Sequence, residues 1–351
     1  MASNIPDQSN PPPPAAVSPI LISSAGVRSL VTHKSLISHL KSTLPQFSAA
    51  VQSPLRHAHQ TSPSSSLLLM PSWSTSPSLP YIGTKLVTHH PNNTTLPGVH
   101  AVYVLFSALT GQPLAAMDAT ELTLYRTACI SALASLYLSR EDSETLVMIG
   151  SGALAPHLIR AHLTVRSKIR KVVIWNRTME KAKALADHLS GEEELKFVRF
   201  ESNGDLEGAV RGGDIITCAT NSQVALVKGE DLKKGAHLNM VGSFRAGMRE
   251  CDDEAVRRGR VYVDGEAAAA EAGELVGAFE RGVMRKEDVV GDLVELVEGE
   301  KIGRRNVEEI TVFKSVGSAT VDLLSAQMVY ERGGRACKGA ISRSNPSLRV
   351  P

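Results

Sequence analysis

Cysteine, net charge and long apolar runs are all scarce in this chain of 351 residues, and each shortage removes a class of protein. The four cysteines, Cys129, Cys218, Cys251 and Cys337, are scattered with no CxxC pair. They read as buried or idle thiols of a reducing compartment, not as a disulfide framework. Lysine and arginine number 38 against 36 aspartate and glutamate, too small an excess to attract nucleic acid or an anionic membrane surface. The expected partner is therefore a small molecule. The most apolar stretch, 101–117, is broken by Gly111-Gln112-Pro113 and is too short to span a bilayer, so no transmembrane helix is expected. Residues 1–17 contain no lysine or arginine and include Pro11 to Pro14. They read as a disordered tail, not as a secretory signal or an arginine-rich transit peptide. The pairs His57/His59 and His89/His90 lack a third ligand at suitable spacing, so no metal is expected.

What is present is the composition of an ordinary packed globule, 42% hydrophobic and 21% charged, in a chain long enough for two domains. From about Ser18 to Thr120, short apolar runs alternate with turn-rich pieces such as Ser62-Pro63-Ser64-Ser65-Ser66. Strands are expected at 66–70, 81–88 and 101–106, giving an antiparallel or mixed β region. A helix over 121–138, with Leu122, Ile130, Leu133 and Tyr137 on its apolar side, is expected to bridge two domains. From Thr145 the pattern becomes short buried strands alternating with helices, the signature of a parallel sheet covered on both faces. Strands are expected at 145–149, 171–175, 196–200, 214–218, 237–241 and 261–264, with helices at 178–189 and 252–258 among the connections. A last helix is expected over 318–330, followed by a polar tail over 332–351.

The strand ending Val147-Met148-Ile149 runs directly into Gly150-Ser151-Gly152-Ala153-Leu154-Ala155, a GxGxxA turn opening a helix. The first glycine permits the tight turn, the second lets backbone approach a pyrophosphate, and Ala155 is small enough for close packing of helix on strand. The next strand ends Trp175-Asn176-Arg177-Thr178, with no carboxylate to accept from the ribose hydroxyl of NAD. Arg177 offers a cation to a 2′-phosphate, Asn176 and Thr178 offer neutral hydrogen bonds, and Thr178 also sits where a helix N-cap would be. NADPH is the expected cofactor, with NADH a weaker alternative. Later strand ends, carrying Thr220 and Asn221 in one and Met240, Val241 and Ser243 in the other, should also border it.

These motifs combine with His237-Leu238-Asn239-Met240-Val241-Gly242-Ser243 and Ile310-Thr311-Val312-Phe313-Lys314-Ser315-Val316-Gly317. Together they resemble the ornithine cyclodeaminase and mu-crystallin family over nearly all of the chain from Ser18 to Glu331. Within it the similarity is greatest to the plant ketimine reductases of pipecolate formation and systemic immunity, particularly at 64–73, 150–157 and 251–253. The resemblance implies a doubly wound Rossmann-type α/β domain, 126–315, inserted into an α+β substrate and dimerisation domain, 18–125 plus 316–331. It also implies a homodimer and a plastid location, the cytoplasm being the alternative.

Three basic positions carry over to the family's substrate pocket: Arg56, Lys85 and Arg126. Ser315 and, from the loop after Pro97-Gly98, His100 are expected on the cofactor side. The family's ammonia-eliminating members place an aspartate shortly after the Val-Gly pair, where this chain has Phe244. A phenyl ring cannot take up or return a proton, so reduction of a preformed cyclic ketimine carboxylate to pipecolate is expected instead of cyclodeamination. Arg126 and Arg56 would clamp the carboxylate. Lys85, crowded by both and partly desolvated, would be the proton donor or an orienting group. The other reading this family permits is a cofactor-loaded protein that binds a carboxylate with little catalysis.

Overall fold

The computed structural model describes residues 18–344, with side chains through Arg335; the tail expected over 1–17 lies outside them. The turn-rich first part folds as a sheet of seven strands: β1 Ile20–Ile22, β2 Val51–Gln52, β3 His57–Ser62, β4 Ser65–Ser74, β5 Tyr81–His89, β6 Val99–Ser107 and β7 Pro113–Asp118. Their order is β1-β7-β6-β5-β4-β2, with β3 also paired to β4. Only β1 with β7 is parallel, so the expected mixed β region is present.

Helices α1 (Ser24–Leu30) and α2 (His33–Phe47) also lie in this part, which was expected to be strands and turns. The signal was there to be read. Thr32 and Ser35 form a capping box, and Leu36, Ile37, Leu40, Leu44 and Phe47 recur at helical spacing and are buried.

Helix α3 (Ala119–Leu138) starts on Asp118, whose carboxylate accepts from the Glu121 amide at 2.8 Å. It has no single apolar side. Every residue from Ala128 to Ser135 is buried, the small alanines and serines letting neighbouring elements approach closely on all faces, while Tyr137 is only half-buried. The last carbonyls of α3 are taken by two arginines from the second half of the chain. Arg166 donates to Ser135, Leu136 and Ser139 carbonyls at 2.8–3.0 Å, and Arg304 donates to Leu138 at 2.8 Å. Both ends of the helix that carries Arg126 are thus held.

The second sheet has eight parallel strands: β8 Thr145–Ile149, β9 Lys171–Trp175, β10 Arg199–Ser202, β11 Ile215–Cys218, β12 His237–Met240, β13 Arg260–Val263, β14 Gly291–Asp292 and β15 Thr311–Lys314. The order is β10-β9-β8-β11-β12-β15-β13-β14, which reverses direction between β8 and β11, as in a doubly wound fold. Burial of almost every residue in β8, β11, β12 and β15 requires cover on both faces. That cover comes from helices including α4 Ala155–Val165, α5 Met179–Ser190, α6 Leu206–Gly212, α7 Asp253–Arg258, α8 Glu266–Glu271, α9 Gly273–Glu280 and α10 Leu293–Glu298.

Three expectations are corrected. The third strand of this region begins at Arg199, not Lys196, because Glu193–Leu195 closes a 3₁₀ turn first. The run Thr311–Lys314 is a fully buried inner strand, β15, although no strand was expected there. Finally, α11 runs Ala319–Ser344, so most of the expected polar tail is helix. Polar Arg332 docks that helix by donating to the Leu30 carbonyl at 2.7 Å, and Gly333 lets it approach Ile22 and Leu30.

Candidate active site

The crevice at the reversal of strand order is bordered by the GxGxxA turn. Gly150 has φ +108°, and a Cβ there would meet the Ala219 carbonyl oxygen at 2.5 Å, so the turn following β8 can close only on glycine. Gly152 differs: a Cβ there would meet nothing within 4 Å. Its exposed backbone and that of Ala153 leave open space ahead of the first turn of α4, with Ser151 and Leu154 half-buried beside them. That is a cradle a side chain would fill, and it suits a pyrophosphate held on backbone amides and the positive end of a helix.

Across the crevice, Asn176 donates to the Thr178 carbonyl at 2.9 Å. Thr178 is the N-cap residue of α5 yet makes no side-chain capping hydrogen bond. Arg177 is exposed, and among the described residues no carboxylate pairs with it. A nicotinamide dinucleotide therefore fits these residues.

Two further strand ends are tied together by a residue that sequence reasoning missed. Glu250, fully buried, accepts from the Thr220 amide at 2.6 Å, the Thr220 hydroxyl at 2.9 Å and the Gly242 amide at 2.8 Å. Its own amide donates to Glu274 at 2.8 Å, and Lys314 stands 3.4 Å from Glu274. Burial pushes the Glu250 carboxyl above its usual range, with Lys314 opposing. Asn221 is exposed beside Thr220. Met240 and Val241 are buried, and Ser243 spends its hydroxyl on the Met248 carbonyl and the Gly273 amide, at 2.9 and 3.2 Å. Ser315 is buried too, its amide donating to Met240 at 3.0 Å.

The three basic residues are brought together from distant parts of the chain. Lys85 lies on β5 opposite Met70 and Tyr103, with Gly83 on the same face. Gly83 is required there because a Cβ would collide with the Tyr103 ring. Lys85 is 3% exposed and Arg126, on α3, is 5% exposed. Both reach one carboxylate, Asp322 in the first turn of α11, at 2.7 Å for Lys85 and 2.9 Å for Arg126. Desolvation and the neighbouring Arg126 bring the Lys85 ammonium down to about 8, with Asp322 opposing them. Asp322 is held below its usual range by Arg126 and Lys85 in spite of its burial.

Arg56 approaches the same turn from the other side. It donates to the Val316 and Gly317 carbonyls at 3.3 and 3.4 Å, while a Cβ on Gly317, at φ +89°, would come within 2.7 Å of the Arg126 guanidinium. Asp264 fixes that turn by accepting from the Gly317 amide at 2.8 Å. Arg56, Met70, Asp264 and Gly317 line a cavity of about 630 Å³ between the two sheets' elements. His100 stands apart from this group. It is exposed at the start of β6 opposite Thr88, in the strand and not in the preceding loop.

A model of the ornithine cyclodeaminase/mu-crystallin family matches residues 18–335. The chain belongs to that family. It is 54% identical over 318 residues to Protein SAR DEFICIENT 4 of Arabidopsis thaliana, covering 90% of this chain and 98% of that one. The structure of Thermococcus litoralis Delta(1)-pyrroline-2-carboxylate reductase in complex with NADH and L-proline superposes with a TM-score of 0.85 at 31% identity, over 90% of this chain and 98% of that one. An archaeal alanine dehydrogenase dimer with bound NAD gives a TM-score of 0.83 at 30% identity, over 91% and 97%.

For a member of the ornithine cyclodeaminase/mu-crystallin family, Phe244 is the telling residue. Phe244 is 37% exposed, with the Arg245 guanidinium 5.3 Å from the centre of its ring, so this position presents an apolar face and no proton carrier. Asp322, Asp264 and Glu250 went unremarked in the sequence. Only Asp322 had a visible cue, an acidic residue in the first turn of an expected helix, and nothing local reveals which cations it meets.

Proposed function

We propose that this protein reduces a cyclic ketimine carboxylate, Δ1-piperideine-2-carboxylate in particular, to the saturated cyclic amino acid, using NADPH. The observation that carries the reading is the convergence of Lys85, Arg126 and Arg56 on one turn beside the dinucleotide crevice. The pyrroline-2-carboxylate reductase similar in fold, titled as a complex with NADH and L-proline, supports the reaction class. The Arabidopsis relative supports a plant setting and a part in systemic immunity. NADPH over NADH rests on unpaired Arg177 with Asn176 and Thr178 at the end of β9. The archaeal dimer supports a homodimer.

The bound cofactor supplies the hydride. Everything else falls to the chain. Arg126 and Arg56 hold the substrate carboxylate from two directions and so fix which face of the ring is turned to the crevice. Arginine does not give up its proton at working pH, whereas Lys85, with its ammonium near 8, holds a proton that it can deliver to the ring nitrogen. Asp322 keeps Lys85 charged and aimed. The apolar Phe244 offers nothing to deprotonate an amino acid substrate, which suits reduction of an imine formed elsewhere.

The test is oxidation of NADPH by the purified protein, followed at the nicotinamide absorbance with Δ1-piperideine-2-carboxylate, alongside its five-membered homologue and NADH. Rapid oxidation with NADPH preferred is expected. Tight NADPH binding without turnover of either imine would overturn the enzymatic reading in favour of a carboxylate-binding protein.

A further inference from the structure

Every cation of the pocket already has an anion. Lys85 and Arg126 share Asp322, and Arg56 pairs with Glu271, the last residue of α8, at 2.9 Å. Arg126 meets Asp322 through Nε alone and keeps its two Nη groups for a second carboxylate, whereas at Arg56 an incoming carboxylate meets Glu271 first. The Asp322 side chain is 1% exposed and held by two cations, so withdrawing it would strand a buried charge. The Glu271 side chain is 23% exposed, is held by a single ion pair and lines the same cavity as Arg56. The weaker pair is the one at the cavity wall.

We propose that Glu271 occupies Arg56 in the place the substrate carboxylate takes, so that binding exchanges one carboxylate for the other and Glu271 sets the substrate affinity. The inference rests on the carboxylate role proposed above for Arg56. On this account Glu271 is a positioning residue acting through Arg56. It raises KM by competing and leaves the reacting centre untouched. It also makes the site selective: a ring without a carboxylate has nothing to exchange for Glu271.

The experiment compares wild type with Glu271→Gln, which keeps the shape and removes the charge. The expected result is a KM for Δ1-piperideine-2-carboxylate lower by about two- to fivefold, the range of a partly exposed ion pair lost as a competitor, with kcat unchanged. Kinetics with Δ1-piperideine, which lacks the carboxylate, should be the same in both proteins, and so should the affinity for NADPH. Glu271→Asp, which retains the charge but sets it back by one methylene, should fall between, and decides the matter should Glu271→Gln fold poorly. An unchanged or raised KM in the variants overturns the proposal, as does an equal gain for the carboxylate-free ring. If wild type turns over neither imine, the reductase reading fails separately. Calorimetric binding of L-pipecolate to the two proteins then carries the comparison, tighter binding by the variant supporting the exchange and equal binding refuting it.

Discussion

Lys85 and Asp322 meet at 2.7 Å across the boundary between strand β5 of the first sheet and helix α11, and each controls the charge of the other. Asp322 opposes the downward pull of burial and of Arg126 and Arg56 on Lys85, and the ammonium settles at about 8. Since the protonated form is the one that can donate, kcat/KM for the imine should fall as pH rises through about 8. Asp322→Asn removes an influence that raises the lysine, so the alkaline limb should move to lower pH. Lys85→Met should lose about 10²–10⁴-fold in kcat with NADPH binding intact. Full turnover in Lys85→Met would falsify the donor role.

Arg177→Asp places a carboxylate where the ribose hydroxyls of NAD would meet it and a 2′-phosphate would be repelled. The ratio of kcat/KM for NADPH to that for NADH should fall by at least about tenfold, corresponding to about 1.4 kcal/mol. An unchanged ratio would remove Arg177 from the cofactor site and leave it a solvated charge.

The glycines of the two sites should part company on substitution. Gly152 faces open space, so Gly152→Val should leave the melting temperature of the cofactor-free protein within a degree or two, about the effect of a surface change. The rise in melting temperature on adding NADPH should nevertheless disappear. In Gly83→Ala the new methyl group meets the buried Tyr103 ring. That overpacking should cost about 1–3 kcal/mol in a urea titration and disturb Lys85 two residues away.

Much of this fold was legible because strand burial and turn chemistry are local. The spans of β8 and β9 and the GxGxxA turn follow from apolar runs bounded by glycine and asparagine. What was not legible depends on partners far off in sequence. Helix α3 looked one-sided because its buried serines read as polar, although Ser135 meets His162 at 2.9 Å inside the core. Arg332 looked like the start of a tail because its acceptor, the Leu30 carbonyl, lies near the other end of the chain. The basic trio was visible only through resemblance. Asp322, which joins two of the three, shows no local pattern that distinguishes it from any acidic residue of a first helical turn.

Acid should loosen the molecule while its ion-paired surface carboxylates are still charged. Burial lowers His162 to about 4, and burial together with neighbouring cations lowers His157 to about 4 and His33 to about 3. The unfolded chain binds protons at these histidines from about pH 6.5, where the folded chain does not. Their contribution is therefore complete above pH 6.5 and is lost progressively as pH falls toward 4. Urea midpoints measured between pH 7.5 and about 4.5 should decline across that window. His162→Asn should flatten the decline, and an identical slope in the variant would show that this histidine does not carry it.

The pairing of Lys85 with Asp322 also has a consequence for the order in which the protein can be made. The two residues are 322 − 85 = 237 positions apart, so a ribosome has delivered every strand of both sheets before the carboxylate exists. Until α11 emerges, the inner face of β5 holds an ammonium with no counterion and lacks the cover that helix supplies. The nascent first sheet cannot settle into its final arrangement alone. It stays open at one side until α11 is made.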